Sequence, residues 1–418
     1  MKVAAEENTL RRDAEVIGLI SLAHGTSHFF HLLLPSLFPW LMPEFGLSFT
    51  QAGFLMTVFF VVSGIGQALA GFVVDRHGAR PVLFFGVGML AAAGVLLGLA
   101  DSYAGLIIAA AVAGAGNSIF HPADFTLLNR RVSTPRLGHA FSMHGLAGNL
   151  GWALAPVFMV GIAAFSNWHV AAFAAAAVGA VVLVLLWLRR RVLDDVALAA
   201  VVASPANTGA APGAGQLAFL RVPSVWMCFT FFLFSTGAFG ILQSFAPALL
   251  GELYGLSIAA ASFALTAYLL GASAGTLAGG FAAAKASGER VIAVALGSSA
   301  LFATLLATSI APPWAAAPLM ALVGFGVGVA GPSRDLLVRR AATARFGKAS
   351  FGRVYGFVYS GLDLGLALTP LAFGPLLDAG HYQITLFGVA ALQLLALASA
   401  MQVGRVATAP KALAGKTA

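Results

Sequence analysis

"GLSFTQAGFLMTVFFVVSGIGQALAGF", residues 46–72, recurs as "GLSIAAASFALTAYLLGASAGTLAGGF" at residues 255–281. The offset, 255 − 46 = 209, is half of the 418-residue chain, and Gly46, Leu47, Ser48, Ala52, Phe54, Thr57, Gly66, Gly71 and Phe72 all meet identical partners. A second register sets "GNLGWALAP" (148–156) over "LDLGLALTP" (362–370), pairing Gly151, Ala153, Leu154 and Pro156 with Gly365, Ala367, Leu368 and Pro370. A chain that matches itself once at half its length is two copies of one unit in parallel order, with room for a site between them.

The unit is built of membrane helices. The chain is 60% hydrophobic and 9% charged, with a mean hydropathy of +0.92, a composition that no water-soluble domain has. Apolar runs of about 20 residues, each able to cross about 30 Å of hydrocarbon, fall at 16–41, 51–73, 81–100, 104–128, 139–163, 168–188, 222–248, 258–282, 291–311, 315–338, 354–377 and 383–403. The alternating pattern of an outer-membrane barrel is missing. The expected fold is therefore all-α: twelve transmembrane helices in two six-helix bundles related by a pseudo-two-fold axis.

Charge orients the bundle. With the amino terminus cytoplasmic, every Lys and Arg except Arg334 falls in the tails or the even-numbered connections. The outer connections carry only Glu44, Asp101, Glu252 and Asp378, which is the positive-inside bias. The net charge of +8 is thus a topology signal, and no nucleic-acid partner is expected. Acidic Glu6, Glu7, Asp13 and Glu15 among the first bases argue against a cleaved leader. Cys228 is the single cysteine, so neither an intramolecular disulfide nor a thiolate cluster is expected. After Arg191 comes "VVASPANTGAAPGAGQ", which reads as a flexible linker. The expected organisation is an N-terminal bundle over 1–188, a cytoplasmic linker over 189–221 and a C-terminal bundle with a short tail over 222–418, in a multi-pass protein of the cell (inner) membrane with both termini cytoplasmic.

"GFVVDRHGARPV" (71–82) resembles the loop 2–3 signature of the major facilitator superfamily, with Gly71, Asp75, Arg76, Gly78 and Arg80 in its spacing. The second-half copy, "GFAAAKASGERV" (280–291), keeps Lys285, Gly288 and Arg290 but has Ala284 where the acid would stand. The resemblance covers nearly the whole chain. It implies alternating access between two bundles, gated by this loop, with the first helix of each three-helix unit lining a central cavity. A narrower resemblance, in "SIFHPADFTLLNRR" (118–131) and "GHAFSMHGLAGNLGWALAP" (138–156), points to the fosmidomycin-resistance branch. Ala123 replaces the acidic residue usual there after the proline, and Asp124 follows one later.

Ionisable side chains at membrane depth are costly and face the bundle interior. They are His24, His28, His31, His121, Asp124, His144, Arg334, Asp335 and Asp363. Steps of four and three place His24, His28 and His31 within about a 60° wedge of one helix. Three readings of that stripe stand open: substrate or proton contact, neutral rings bonded across a helix contact, and a metal site from His24 and His28, which lacks a carboxylate in its own segment. Asp124 aligns with Arg334 when Pro122 is set over Pro332, as an inner-gate ion pair or with Arg334 as an anion contact; Asp335 stands four before Arg339 and can neutralise it. Asp363 has Asn149 as its repeat partner. It is either a protonatable group or a structural hydrogen bond between the second and eleventh helices.

The substrate and proton candidates are therefore His24, His28, His31, His121, Asp124, Arg334, Asp363 and Asn149. The expected function is secondary active transport of a small organic solute, an organic anion or drug-like compound, coupled to protons or another ion by a monomer in the lipid bilayer. No cofactor, resident metal or catalytic activity is expected. The alternative is an intramembrane His-site metalloenzyme or a metal-ion transporter, but His121 and His144 do not form a second histidine box in the sequence. A non-transporting receptor is a third class.

Overall fold

The computed structural model describes residues 2–194, 218–346 and 351–408. Most of the 189–221 linker, and the side chains of Asp75, Ala284, Asp335 and Arg339, lie outside the described residues. Among the described residues, twelve helical stretches are long and apolar enough to cross a membrane, in the places expected from the sequence. The first runs Thr9–Phe45, longer than the 16–41 expected, because its polar terminal turn stays helical beyond the apolar run.

Two spans are broken. The first comprises α1 (Lys2–His31) and α2 (Leu33–Phe45), and the fourth comprises α5 (Tyr103–Asn117) and α6 (Phe120–Arg131). Both breaks have the same cause, a proline in the turn that follows. Pro35 has no N–H for the His31 carbonyl four residues earlier, and its ring crowds that oxygen; the chain leaves helical geometry at Leu32, φ −102° and ψ 6°. Pro122 stands in the same relation to Ser118. The freed His31 carbonyl accepts instead from Gln243 Nε2 at 3.4 Å, a side chain of the other half. The remaining spans are α3 (Phe49–His77), α4 (Ala79–Gly98), α7 (Leu137–Phe165), α8 (Trp168–Leu188), α9 (Pro223–Tyr254), α10 (Ile258–Lys285), α11 (Gly288–Ala307), α12 (Ala316–Phe346), α13 (Phe351–Asp378) and α14 (Tyr382–Thr408).

Packing reproduces the repeat. Within the first half, a Cβ at Gly151 would lie 2.0 Å from the Gly25 carbonyl oxygen, and within the second half a Cβ at Gly365 would lie 2.3 Å from that of Leu233. Only glycine lets α7 meet α1, and α13 meet α9, this closely. Between the halves, α3 packs on α13 and α7 on α10. Thr57 Oγ1 donates to the Ala367 carbonyl at 2.7 Å, and Thr266 Oγ1 to the Ala153 carbonyl at 3.4 Å. Thr57 and Thr266 are partners at the 209-residue offset, Ala153 and Ala367 in the second register. The same pseudo-two-fold operation relates Gln67 Nε2 donating to Asp363 at 3.2 Å and Asn149 Nδ2 donating to Thr276 Oγ1 at 3.4 Å.

The interface is tight from its middle to the face opposite the termini, here the distal face. There Asp378, at the end of α13, accepts from the backbone N–H groups of Phe49 (2.8 Å) and Thr50 (3.1 Å) and from the Thr50 hydroxyl. One turn inward, a Cβ at Gly53 would strike Pro370 at 2.7 Å. Nearer the face that carries the termini, a Cβ at Gly71, or at its repeat partner Gly280, meets nothing within 4 Å. Large apolar side chains such as Phe165 (96% exposed) and Phe281 (74%) cover the perimeter, the surface a bilayer would solvate.

Candidate functional site

The histidine stripe does not stand alone. The rings of His24 and His28 lie 4.3 Å apart and those of His28 and His31 4.9 Å, on one face of α1 as their spacing requires. The break in the fourth span lets α6 deliver His121, 5.3 Å from His24, and α7 adds His144, stacked on His24 at 3.5 Å. Gly148 makes room: a Cβ there would fall 2.8 Å from His28 and 3.1 Å from His24. Five imidazoles thus share one cluster: His121 and His144, which form no second histidine box in the sequence, join the stripe in space. The box is discontinuous in sequence and is assembled by three helices.

At its centre lies Asp124, 0% exposed. Its Oδ2 is 3.0 Å from His144 Nε2 in hydrogen-bond geometry and 3.1 Å from His24 Nδ1 out of it. The carboxylate missing from the stripe's own segment is therefore supplied by α6. Asp124 and Arg334, aligned across the repeat, do not engage each other: the partners of Asp124 are the two histidines, and the Arg334 guanidinium lies 4.7 Å above the Phe232 ring. His121 and Phe232 both face Tyr359 of α13, at 5.3 and 4.8 Å between ring centroids.

From His31 a directed hydrogen-bond chain crosses to the other half. Trp152 Nε1 donates to His31 Nδ1 at 3.2 Å, so Nε2 carries the proton and donates to Asn117 Oδ1 at 2.7 Å, because an amide oxygen only accepts. Ser27 donates to the same oxygen at 2.7 Å. Asn117 Nδ2 donates to Ser63 Oγ at 2.8 Å, and Ser63 to Asp363 Oδ1 at 3.4 Å. Gln67 bonds the other oxygen of Asp363. Both ring nitrogens of His31 are engaged, and a proton added to Nδ1 would set two N–H groups against each other. Asp363, 3% exposed, is held across the half–half interface by neutral donors alone.

Gly78 turns between α3 and α4 at φ +85°, a conformation that favours glycine. Arg80 reaches Asp194 at 3.3 Å and the Arg190 carbonyl at 3.4 Å, tying the loop to the end of α8. Arg76 is exposed.

Sequence reasoning selected His24, His28, His31, His121, Asp124, Arg334, Asp363 and Asn149, and the fold brings all but Arg334 and Asn149 into the cluster or its chain to Asp363. It passed over Asn117, Ser63, Gln67, Trp152 and Gln243. An amide inside an apolar helix is signal enough to have found Asn117, Gln67 and Gln243.

A twelve-span repeat with a polar centre between two converging bundles defines a class of protein, the solute transporters of the membrane. The chain belongs to the Major Facilitator Superfamily, whose profile matches residues 20–370. It is 28% identical over 373 residues to the fosmidomycin resistance protein of Escherichia coli, covering 88% of each chain. It is 26% identical over 374 residues to a probable nitrate/nitrite transporter of Mycobacterium tuberculosis, covering 84% of this chain and 87% of that one. It is also 25% identical over 361 residues, 80% of this chain and 79% of that one, to the membrane sensor protein UhpC of Escherichia coli. The family and these relatives support a multi-pass membrane transporter of small solutes rather than an enzyme.

Proposed function

We propose that the chain is a secondary active transporter of a small organic anion, driven by protons and working as a monomer by alternating access in the cell (inner) membrane. Its working units are an N-terminal bundle over 1–188 and a C-terminal bundle over 222–418, joined by the 189–221 linker. Both termini and the linker are cytoplasmic, so on this reading the tight distal contact lies on the outer side of the membrane.

One observation carries this reading: a carboxylate at membrane depth, Asp363, is bonded across the very interface that must move. Rocking the halves so that their distal contact opens separates α3 from α13 and strips Ser63 and Gln67 from Asp363. An ionised carboxylate left without donors at this depth costs about 2.5–3.5 kcal/mol, and taking up a proton removes that cost. The equivalent pair, Asn149 with Thr276, breaks in the same movement but has no proton to exchange. Arg334, beside the aromatic rings of Phe232 and Tyr359, supplies the positive charge for an anion, with His121 and His28 as hydrogen-bonding rings. Loop 2–3, through Gly71, Asp75, Arg76, Gly78 and Arg80, braces the cytoplasmic face when that face closes. Two relatives carry names that fit: nitrate and nitrite are anions, and resistance to a drug is what export confers.

The test uses Asp363→Asn in proteoliposomes. Fosmidomycin and nitrate, the compounds the relatives are named for, head a thermal-shift screen that also includes organic acids, since a ligand of the folded state raises apparent stability. The variant is expected to bind and exchange the identified solute while losing accumulation driven by a pH gradient. Unchanged proton-driven accumulation would remove Asp363 from coupling.

A further inference from the structure

We propose that His24, Asp124 and His144 form a binding site for a borderline divalent transition-metal ion of the Zn²⁺ class, built wholly within the N-terminal half. The site goes beyond solute transport and does not depend on it. One donor atom from each residue lies within 4.8 Å of the others. Around a tetrahedral ion with bonds of about 2.05 Å, neighbouring donors stand about 3.3 Å apart. The separations of His24 Nδ1 and His144 Nε2 from Asp124 Oδ2, 3.1 and 3.0 Å, match that edge, and the two rings stack at 3.5 Å with their donor atoms within 4.8 Å of each other.

The hydrogen-bond accounting points the same way. Two ring nitrogens converge on one carboxylate oxygen, yet only His144 is aligned to donate to it. His24 Nδ1, His28 Nδ1, His121 Nδ1 and Asp124 Oδ1 are all buried without a hydrogen-bond partner. Buried polar atoms are nearly always satisfied, and a carboxylate with one orphaned oxygen among three orphaned ring nitrogens calls for an ion or ordered water. Two neutral imidazoles and one carboxylate are a common ligand set for Zn²⁺, and the single negative charge offsets half of the ion's own. The fourth position falls to water or to one of the imidazoles with an unpartnered Nδ1, His28 or His121. Because the ligands come from α1, α6 and α7, a bound ion pins three helices of one bundle and leaves the half–half interface free.

The experiment titrates Zn²⁺, and separately Co²⁺, into the full-length protein purified without a polyhistidine tag. Isothermal calorimetry is expected to show one equivalent of Zn²⁺, and Co²⁺ to develop the visible d–d bands of a low-coordinate nitrogen and oxygen site. Asp124→Asn and His144→Gln each lower Zn²⁺ affinity by more than the 10–100-fold that loss of an outer-shell partner costs, whereas His139→Gln, on an exposed histidine, leaves it unchanged. Absence of stoichiometric binding by the wild-type protein overturns the proposal whether or not the variants fold. So does binding that survives both ligand substitutions, or a Co²⁺ spectrum of six-coordinate aquo character. None of these results bears on solute transport, which the Asp363→Asn experiment tests by itself.

Discussion

Replacing Asp378 should open the distal face without unfolding the protein. Its carboxylate closes an account at the start of α3, whose first backbone N–H groups have no partner within the helix. Ser48 serves Gln51 through its side chain and Ala52 through its carbonyl, and Asp378, from the other half, serves Phe49 and Thr50. Hydrogen bonds to a charged acceptor are worth about 1.5–3 kcal/mol, but Asp378 is exposed, and water competes. Discounted to about 0.5 kcal/mol each, the three bonds, that of the Thr50 hydroxyl included, together with about 0.5 kcal/mol from the helix dipole give about 2 kcal/mol. That is about 30-fold in the ratio of distally open to distally closed molecules. In Asp378→Ala water takes over the two N–H groups and the Ser48 cap persists, so closure is weakened and folding is not. Spin labels at Asp101→Cys and Glu252→Cys, in a Cys228→Ser background, place one probe on each half at the distal face. Their distance distribution, read by pulsed double-resonance spectroscopy, should shift toward the longer population in Asp378→Ala and less so in Asp378→Asn. An unchanged distribution, or loss of folded protein, would refute the accounting.

Three further outcomes are expected. Asn117→Leu leaves the His31 N–H without an acceptor, at a cost of about 1–3 kcal/mol, and the melting temperature of the purified protein should fall; an unchanged melt would mean that the chain from His31 to Asp363 adds nothing to stability. Arg334→Lys replaces a planar fork with a point charge and should weaken anion binding in the thermal-shift assay, whereas binding preserved with altered turnover would make Arg334 a gating residue. A reporter active only in the cytoplasm should give signal when inserted in the 203–216 segment and none in 251–257; the reverse would overturn the positive-inside orientation.

The fold was legible because its signals are local or periodic. An apolar run of membrane length declares itself, and the repeat declares the symmetry, even though its two registers, 209 and 362 − 148 = 214, differ by five residues. That difference is an insertion in the second half between α10 and α13, away from the contacts that both registers describe. The stripe of His24, His28 and His31 was legible for the same reason, since helical spacing alone puts the rings together. Its partners were not. Asn117, Asp124 and His144 stand 86 to 120 positions further along, and their arrival depends on a helix break at Pro122 and on glycine-lined contact between α1 and α7. No pattern within one segment reports those distances, so a metal-ligand set read from the stripe alone lacked the carboxylate the fold supplies.

The symmetry of the scaffold sharpens the meaning of the places where chemistry departs from it. Thr57 and Thr266 make the same bond to the same carbonyl in the two halves, which is what packing requires of that position. About three turns further along α3 and α10, Gln67 and Thr276 still occupy matching places, but they bond a carboxylate in one case and an amide in the other. Packing would be served equally by an asparagine in both halves, because an amide fills the same volume as a carboxylate and keeps a hydrogen bond. A carboxylate costs more at that depth, so its presence at Asp363 is explained by its charge and not by its shape. The His24–Asp124–His144 cluster is asymmetric in the same sense: on α12, Pro332 holds the place of Pro122, yet Arg334 replaces Asp124 as the charged group. Two copies of one scaffold carry opposite charges at matching depths, and in the proposed transport of an anion it is the pairing of unlike halves, not the repeat itself, that would supply the charge difference across the interface.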